Sequence, residues 1–163
     1  EDITHMGAGK LVDFRLHNIG FIFQSYNLIP VLTVKENVAF IMELQHRKEQ
    51  EINERVRYLL EAMGLSDKMN VRPKYLSGGQ QQRVAVARAL ASKPKFILAD
   101  EPTANLDSKS TDTLLGLMAR LNETEQVTFI FSTHDQRVMD KAKRIVTLED
   151  GKVISDSRPG ITK

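Results

Sequence analysis

The sequence predicts an α/β domain with a mostly parallel sheet, because short apolar runs alternate with segments of helical periodicity. Residues 96–99 form a continuous apolar run, which is typical of strands that are buried on both faces. Residues 19–23 and 127–131 form two more β-prone apolar runs. We therefore expect three buried strands that lie in one sheet.

The segment between the first two strands is predicted to be mainly helical. Thr33, with Glu36 three residues later, forms a capping-box pattern that predicts a helix start. Between residues 49 and 63, apolar side chains recur at spacings of three and four, and Gly64 then provides a stop signal. A third helix is expected after Gly79.

The C-terminal half continues the alternation. Pro94 should end the helix that follows Gly79, because proline cannot continue an α-helix. Helical periodicity returns between residues 111 and 121. Asp150-Gly151 stands between two β-prone runs, which predicts a hairpin.

These elements suggest one domain over residues 1–163 with two parts. Residues 1–24 and 92–163 would form the sheet-containing core, and residues from about 25 to 91 would form a helical subdomain. A chain of this length is long enough for one hydrophobic core.

Composition narrows the possible functions. The 23 basic residues are nearly balanced by 21 acidic ones, so nothing indicates a nucleic-acid partner. The absence of cysteine excludes disulfides and thiolate metal sites. Since every apolar run is far shorter than a membrane span, no direct membrane insertion is expected, and any membrane role would act through a partner.

The strongest local signal is the stretch Leu-Ser-Gly-Gly-Gln at residues 76–80. Ser77, Gly78, Gly79 and Gln80 stand at a predicted helix start, where free backbone N–H groups and the helix dipole favour a phosphate. Glycine also lets a phosphate approach the backbone closely. The alternative is a glycine-rich helix entry that serves only as a turn.

Polar side chains follow all three predicted strands, at the end of a parallel sheet where ligands bind. Gln24 follows the first strand, Asp100 and Glu101 end the second, and His134 follows the third. Asp100 is suited to Mg²⁺, Glu101 could act as a general base in phosphoryl transfer, and His134 could contact a terminal phosphate. Each cluster alone could equally be a polar turn.

A phosphate-binding loop is not found in the sequence. No G-x-x-x-x-G-K-[ST] pattern occurs in the 163 residues. Residues 7–10 (Gly-Ala-Gly-Lys) have the wrong glycine spacing, and Leu11 stands where serine or threonine would be needed. We expect a flexible surface turn at residues 7–10.

Taken in order, these motifs resemble the ATP-binding subunit of an ABC transporter. The matching segments are residues 76–80 (signature), 96–101 (Walker B with the catalytic Glu101), 104–107 (D-loop, with Asp107), Gln24 (Q-loop) and His134 (switch histidine). The form of residues 23–28 and 100–107 is closest to the group that serves lipoprotein release, macrolide efflux and cell division.

The resemblance implies a P-loop NTPase-like fold in which a Walker A loop precedes the Q-loop. Because the sequence has no such loop, we expect a chain truncated before the Q-loop, with the N-terminal Walker A part absent. Such a sheet would expose strand edges and apolar faces. Alone, the chain should bind ATP weakly or not at all and be inactive.

The resemblance also implies a function, with ATP and Mg²⁺ as cofactors. The partners would be a second ABC ATPase subunit, as in a homodimer, and a transmembrane permease subunit. Hydrolysis at the dimer interface would drive export or release of a substrate, and the chain would be cytoplasmic, on the cytoplasmic face of the membrane.

The site residues would divide into two groups by the same resemblance. Ser77, Gly78, Gly79 and Gln80 would bind the nucleotide of the other subunit. The same-chain site would consist of Gln24 and Asp100 around Mg²⁺, Glu101 as base and His134 on the γ-phosphate, with Asp107 in the D-loop.

Two other functions remain open from the sequence. The first is a soluble ABC ATPase of translation or DNA repair, although only residues 25–75 separate the Q-loop from the signature, which leaves no room for the long coiled coil of the repair type. The second is a non-catalytic fragment that binds a partner subunit.

Overall fold

The computed structural model describes residues 2–159, which divide into two compact units, the first ending at Ser132 and the second beginning at Thr133. Along the first unit run α1 (Ala8–Asn18), β1 (Ile19–Ile22), α2 (Val34–Leu44), α3 (Glu49–Ala62), 3-10 turns at Ser66–Lys68 and Pro73–Tyr75, α4 (Gly78–Ala91), β2 (Phe96–Asp100), α5 (Ser108–Glu125) and β3 (Thr128–Ser132). The second unit contains α6 (Gln136–Met139), β4 (Ile145–Glu149) and β5 (Lys152–Ser157).

The first unit is built on a parallel sheet, as the sequence predicts. Its strands lie in the order β1-β2-β3, and all are parallel. Phe21, Leu98 and Ile130 stand opposite one another in the register and so share one face. The α/β class with a parallel sheet is therefore confirmed.

The expectation of three buried strands is met on only one face of the sheet, and the predicted burial of residues 96–99 on both faces is incomplete, because Phe96 and Leu98 are half-buried. The inner face carries Ile22, Ile97 and Ala99, which are buried in one core with side chains of α4 and α5. On the other face, Phe21 is 38% exposed and Ile130 is 50% exposed. Within the described residues β1 and β3 each pair with β2 alone, so β1 and β3 are the two edge strands of this sheet.

Helix α4 is the most buried helix of the first unit. Its buried side chains are Gln82, Val84, Ala85, Val86, Ala87, Ala89, Leu90 and Ala91. It packs against α2, α3 and β1. The small residues allow a very close approach to β1, where a Cβ atom on Gly20 would lie 2.5 Å from the backbone oxygen of Ala89 and 2.9 Å from Ile97.

The predicted helix signals are confirmed for α2 and α3. Thr33 and Glu36 form the capping box at the start of α2, with the Thr33 backbone N–H donating to the Glu36 carboxylate at 2.7 Å. Gly64 follows the end of α3 with φ +63°, a conformation that glycine adopts at little cost.

Asn37 fixes the segment that precedes α2. Its side chain is fully buried, and its Oδ1 accepts a hydrogen bond from the Ile29 backbone N–H at 2.8 Å. Its Nδ2 group donates to the backbone oxygens of Ile29, Leu32 and Thr33. All the polar atoms of this amide are satisfied, so its burial is compensated.

A buried ion pair connects three helices of the first unit. Arg55 of α3 donates to both carboxylate oxygens of Glu125 at 2.9 and 2.7 Å and to the Leu90 backbone oxygen at 2.8 Å. The two side chains are 9% and 14% exposed. The hydrogen bonds from Arg55 hold the pKa of Glu125 below its usual value.

The expected surface turn at residues 7–10 is wrong, because α1 begins at Ala8 and contains Gly9 and Lys10. Leu11 and Phe14 lie on one face of α1, and both are half-buried. The helix continues to Asn18, directly before β1. Among the described residues no strand precedes this segment.

The predicted hairpin in the second unit is confirmed. β4 and β5 pair antiparallel, and Asp150 and Gly151 at the turn both have positive φ, as the Asp-Gly pattern predicts. None of the helices in residues 2–159 combines the length and hydrophobicity needed to cross a bilayer. The helical segment 34–91 lies within the first unit, and its division into a subdomain of about 25–91 stays a prediction.

We expect Gly20→Ala to lower the free energy of unfolding by about 2–3 kcal/mol, because the new methyl group meets a backbone oxygen that cannot move alone. Urea denaturation followed by circular dichroism measures the change. Gly116→Ala on α5 is the control, since its Cβ meets nothing within 4 Å. That control should be stabilising by about 0.5–1 kcal/mol, as in other helix interiors. Equal effects of the two substitutions would refute the close-packing argument.

Glu125→Gln should destabilise the protein by about 3 kcal/mol at neutral pH, because Arg55 would keep a buried charge without its counterion. Since the folded-state pKa of Glu125 is lowered, the stabilisation by the pair is complete above the unfolded-state pKa. It is lost as the pH falls through the lower, folded-state value. Denaturation midpoints from neutral to acid pH should therefore fall less steeply in Glu125→Gln than in wild type. The exposed Glu123→Gln should keep the wild-type slope, and an unchanged slope in Glu125→Gln would contradict the assignment.

Candidate functional site

Three turns of the first unit meet at the start of α4. Two of them are the turn after β1, which begins at Gln24, and the segment before α5. The third is the helix start itself, residues 77–80. Asn105 Nδ2 donates to the backbone oxygen of Gln24 at 3.0 Å. A Cβ atom on Gly78 would lie 3.0 Å from the Tyr26 hydroxyl, and one on Gly79 would lie 3.2 Å from Ser110 Oγ. Segments far apart in the chain are thus in contact here.

The start of α4 is a second capping box. The Gln80 backbone N–H donates to Ser77 Oγ at 3.3 Å, and the Ser77 backbone N–H donates to Gln80 Oε1 at 2.9 Å. Gly78 and Gly79 are the first two residues of the helix, so their N–H groups have no partner within it. These two N–H groups at the positive end of the dipole can bind an anion, while Ser77 and Gln80 first of all cap the helix.

The turn after β1 has an unusual backbone. Tyr26 and Asn27 have φ values of +62° and +48°, which are costly for residues with a side chain. Arg88 of α4 donates to their backbone oxygens, at 2.9 Å for Tyr26 and 2.5 Å for Asn27. Burial lowers the pKa of the Arg88 guanidinium and raises the pKa of the Tyr26 phenol. The Gln24 side chain itself is exposed.

Asp100 and Glu101 lie where β2 ends. Asp100 is exposed and stands opposite Ser132 in the register. Glu101 is half-buried, has φ +44°, and donates its backbone N–H to the Ser132 oxygen at 2.9 Å. The backbone therefore turns sharply out of the sheet at Glu101 while it stays attached to β3. Strained backbone of this kind is often found at functional sites.

Asp107 is the cap of α5. Its Oδ1 accepts a hydrogen bond from the Ser110 backbone N–H at 2.9 Å, and its Oδ2 accepts one from Ser110 Oγ at 2.8 Å. The backbone hydrogen bond from Ser110 is the main reason why the pKa of Asp107 is lowered. Because Ser110 also lies against Gly79, Asp107 connects the start of α5 to the start of α4.

The predicted site residues fall into both compact units. Gln24, residues 77–80, Asp100, Glu101 and Asp107 all belong to the first unit. His134 is exposed and belongs to the second unit. Arg88, Asn105 and Tyr26 have contacts with the site that the sequence analysis did not anticipate.

Magnesium would find few protein ligands in this chain. Residues 2–159 contain no group of three or more histidine, aspartate or glutamate side chains that could hold a metal ion. Asp100 nevertheless offers an exposed carboxylate at a strand end. Since Mg²⁺ usually takes one or two carboxylates and completes its shell with water and phosphate oxygens, the residues present fit the ion when it arrives with a nucleotide.

Comparison with known proteins identifies the family. The sequence profile described as ABC transporter matches residues 2–104. The chain belongs to the ABC transporter family. An uncharacterized ABC transporter ATP-binding protein of Thermotoga maritima is 45% identical over 161 residues, which cover 99% of this chain and 68% of that protein.

Two further relatives have more specific names. The lipoprotein-releasing system ATP-binding protein LolD of Geobacter metallireducens is 40% identical over 96% of this chain and 69% of its own length. The macrolide export ATP-binding/permease protein MacB 1/2 of Paracoccus denitrificans is 44% identical, over 98% of this chain and 24% of its own length. Both names match the group suggested by the sequence.

Solved structures give the same fold. The dimeric structure of a post-hydrolysis state of the ATP-binding cassette MJ0796 bound to ADP and Pi has a TM-score of 0.83 and 40% identity, and the match covers 94% of this chain and 68% of that one. A second dimeric structure of MJ0796 has a TM-score of 0.84. The chain is thus an ABC transporter ATP-binding subunit with the ABC ATPase fold.

Ser77→Ala should lower the free energy of unfolding by about 1 kcal/mol, because it removes a helix cap. Thr33→Ala is the matched control, since Thr33 caps α2 in the same way and lies outside the site. Similar losses of stability in urea denaturation are expected for the two variants. If Ser77→Ala were neutral while Thr33→Ala was destabilising, Ser77 would not act as a cap in solution.

Proposed function

We propose that this chain works as the ATP-hydrolysing subunit of an ABC transporter that exports or releases its substrate through a membrane partner. The observation that carries the proposal is the meeting of the Gln24 turn, the start of α4 and the Asp107 segment in one place. Relatives named for lipoprotein release and macrolide export support the direction of transport.

The two half-sites of the chain would act on different nucleotides. The free N–H groups of Gly78 and Gly79 would bind the γ-phosphate of ATP held by a second ABC ATPase subunit, with Ser77 and Gln80 fixing the helix start. The dimeric form of the MJ0796 cassette supports this arrangement. Asp107 would hold the neighbouring turn in place.

The other half-site would perform the chemistry. Glu101 would accept a proton from the attacking water, and its turned-out backbone would aim the carboxylate away from the sheet. Asp100 and Gln24 would hold Mg²⁺, which offsets the charge of the phosphates. His134 would contact the γ-phosphate.

ATP affinity would depend on more than these residues. Because the 163 residues contain no G-x-x-x-x-G-K-[ST] loop, the chain alone should bind ATP weakly or not at all. In the working assembly it would be cytoplasmic, on the inner face of the membrane and attached to a permease subunit. A non-catalytic role as a partner-binding fragment is the second candidate.

Glu101→Gln should abolish ATP turnover by an assembly that contains this chain, while ATP binding is kept, because the amide cannot accept the proton from water. A drop in kcat of about 100-fold or more is expected for loss of a general base. Steady-state hydrolysis and filter binding of labelled ATP measure the two properties. Glu61→Gln on the exposed face of α3 is the control and should keep full turnover. Unchanged turnover in Glu101→Gln would refute the base assignment, and no turnover in the wild-type assembly would favour the non-catalytic role.

A further inference from the structure

Arg88 of α4 donates to two successive backbone carbonyls of the turn after β1. It is half-buried, and within residues 2–159 it has no carboxylate within ion-pair distance. Its two terminal nitrogens instead donate to the backbone oxygens of Tyr26 and Asn27. A buried charge is costly unless it is hydrogen-bonded, so these two carbonyls account for its position.

The two carbonyls belong to the two residues of the turn whose backbone conformation is strained. Tyr26 and Asn27 both have positive φ, and their own N–H groups make turn hydrogen bonds to Phe23 and Ser25 at 3.1 and 2.6 Å. The planar fork of an arginine can hold two successive carbonyls, whereas a lysine ammonium is a single point of attachment. Arg88 therefore matches the geometry of this turn.

The same turn also contacts the first residue of α4. The Tyr26 hydroxyl lies 3.0 Å from the place that a Cβ atom on Gly78 would occupy. The turn is thus in contact with α4 at two points, Gly78 at the start of the helix and Arg88 in its last turns. Contacts at both points connect the turn to two separate parts of one helix.

We propose that Arg88 is a positioning residue that locks the Gln24 turn to α4, so that Gln24 and the anion-binding helix start move as one piece. The proposal rests on the proposed function for the roles of Gln24 and Gly78. It adds a physical connection between the half-site for one nucleotide and the half-site for the other. Arg88 itself touches neither nucleotide in this scheme.

Amide hydrogen exchange of the 163-residue chain, followed by NMR, tests the lock without any nucleotide. Arg88→Gln should speed exchange of the Tyr26 and Asn27 amides by about tenfold, as expected for loss of hydrogen bonds from a charged group. Arg88→Lys should restore part of the protection. Arg120→Gln, which removes an exposed charge on α5, should have no effect on these amides.

Hydrogen exchange of the β2 amides distinguishes a local effect on the turn from a loss of overall stability. In all three variants their exchange should stay at the wild-type rate. The proposal is overturned if Arg88→Gln changes the turn amides no more than Arg120→Gln does, or if turn and β2 amides speed up together. Should Arg88→Gln fail to fold, Arg88→Lys provides the same comparison.

A double-mutant cycle tests the second contact. Gly78→Ala should push the Tyr26 hydroxyl away and speed exchange of the Tyr26 amide, and the same substitution in a Tyr26→Phe background should have little effect. Additive effects would show that the turn and the helix start are independent. Because exchange needs no ATP, failure of the lock and failure of the hydrolysis experiment are separate results.

Discussion

The close contact between α4 and β1 at Gly20 is the constraint on which the first unit depends. The backbone oxygen of Ala89 approaches β1 so closely that no side chain fits at Gly20. Since β1 leads directly into the Gln24 turn, this contact brings the turn beside the residue that precedes Ala89, which is Arg88. Packing in the core thus determines that Arg88 is the side chain of α4 that contacts the Gln24 turn.

A polar contact complements this packing next to Ala89. The Leu90 backbone oxygen accepts a hydrogen bond from Arg55, whose guanidinium also donates to both carboxylate oxygens of Glu125. Three helices are joined at one charged group, and the last turn of α4 has little freedom to shift. The helix with Gly78 and Gly79 at its start is therefore held at its other end by the close backbone contact between Ala89 and Gly20 and by the hydrogen bond from Arg55 to the Leu90 oxygen.

Local patterns in the sequence were sufficient for the elements and for several site residues. The Thr33 cap, the stop at Gly64 and the Asp150-Gly151 hairpin depend on neighbouring residues, and all three were predicted correctly. The sequence also predicts the helix start at residues 77–80, but the pattern does not show the reciprocal cap between Ser77 and Gln80.

The remaining features depend on partners far away in the chain. Arg88 and Arg55 reach groups about 60 to 70 positions away, and no local spacing marks either residue. The open face of the sheet at Phe21 and Ile130 is not predictable from the apolar runs, because such a run indicates a strand but not how many neighbours cover its faces.

The backbone strain at Glu101 stands against the chemistry that we propose for its carboxylate. Its φ of +44° lies in a region where a side chain costs about 1–2 kcal/mol and where glycine would be at ease. Glycine at this position would relieve the strain and remove the carboxylate at the same time. A search for more stable variants that ignores activity should therefore favour replacement of Glu101, which for the proposed role is the usual trade-off between stability and activity. Consensus or computational stabilisation of this protein should leave position 101 unchanged.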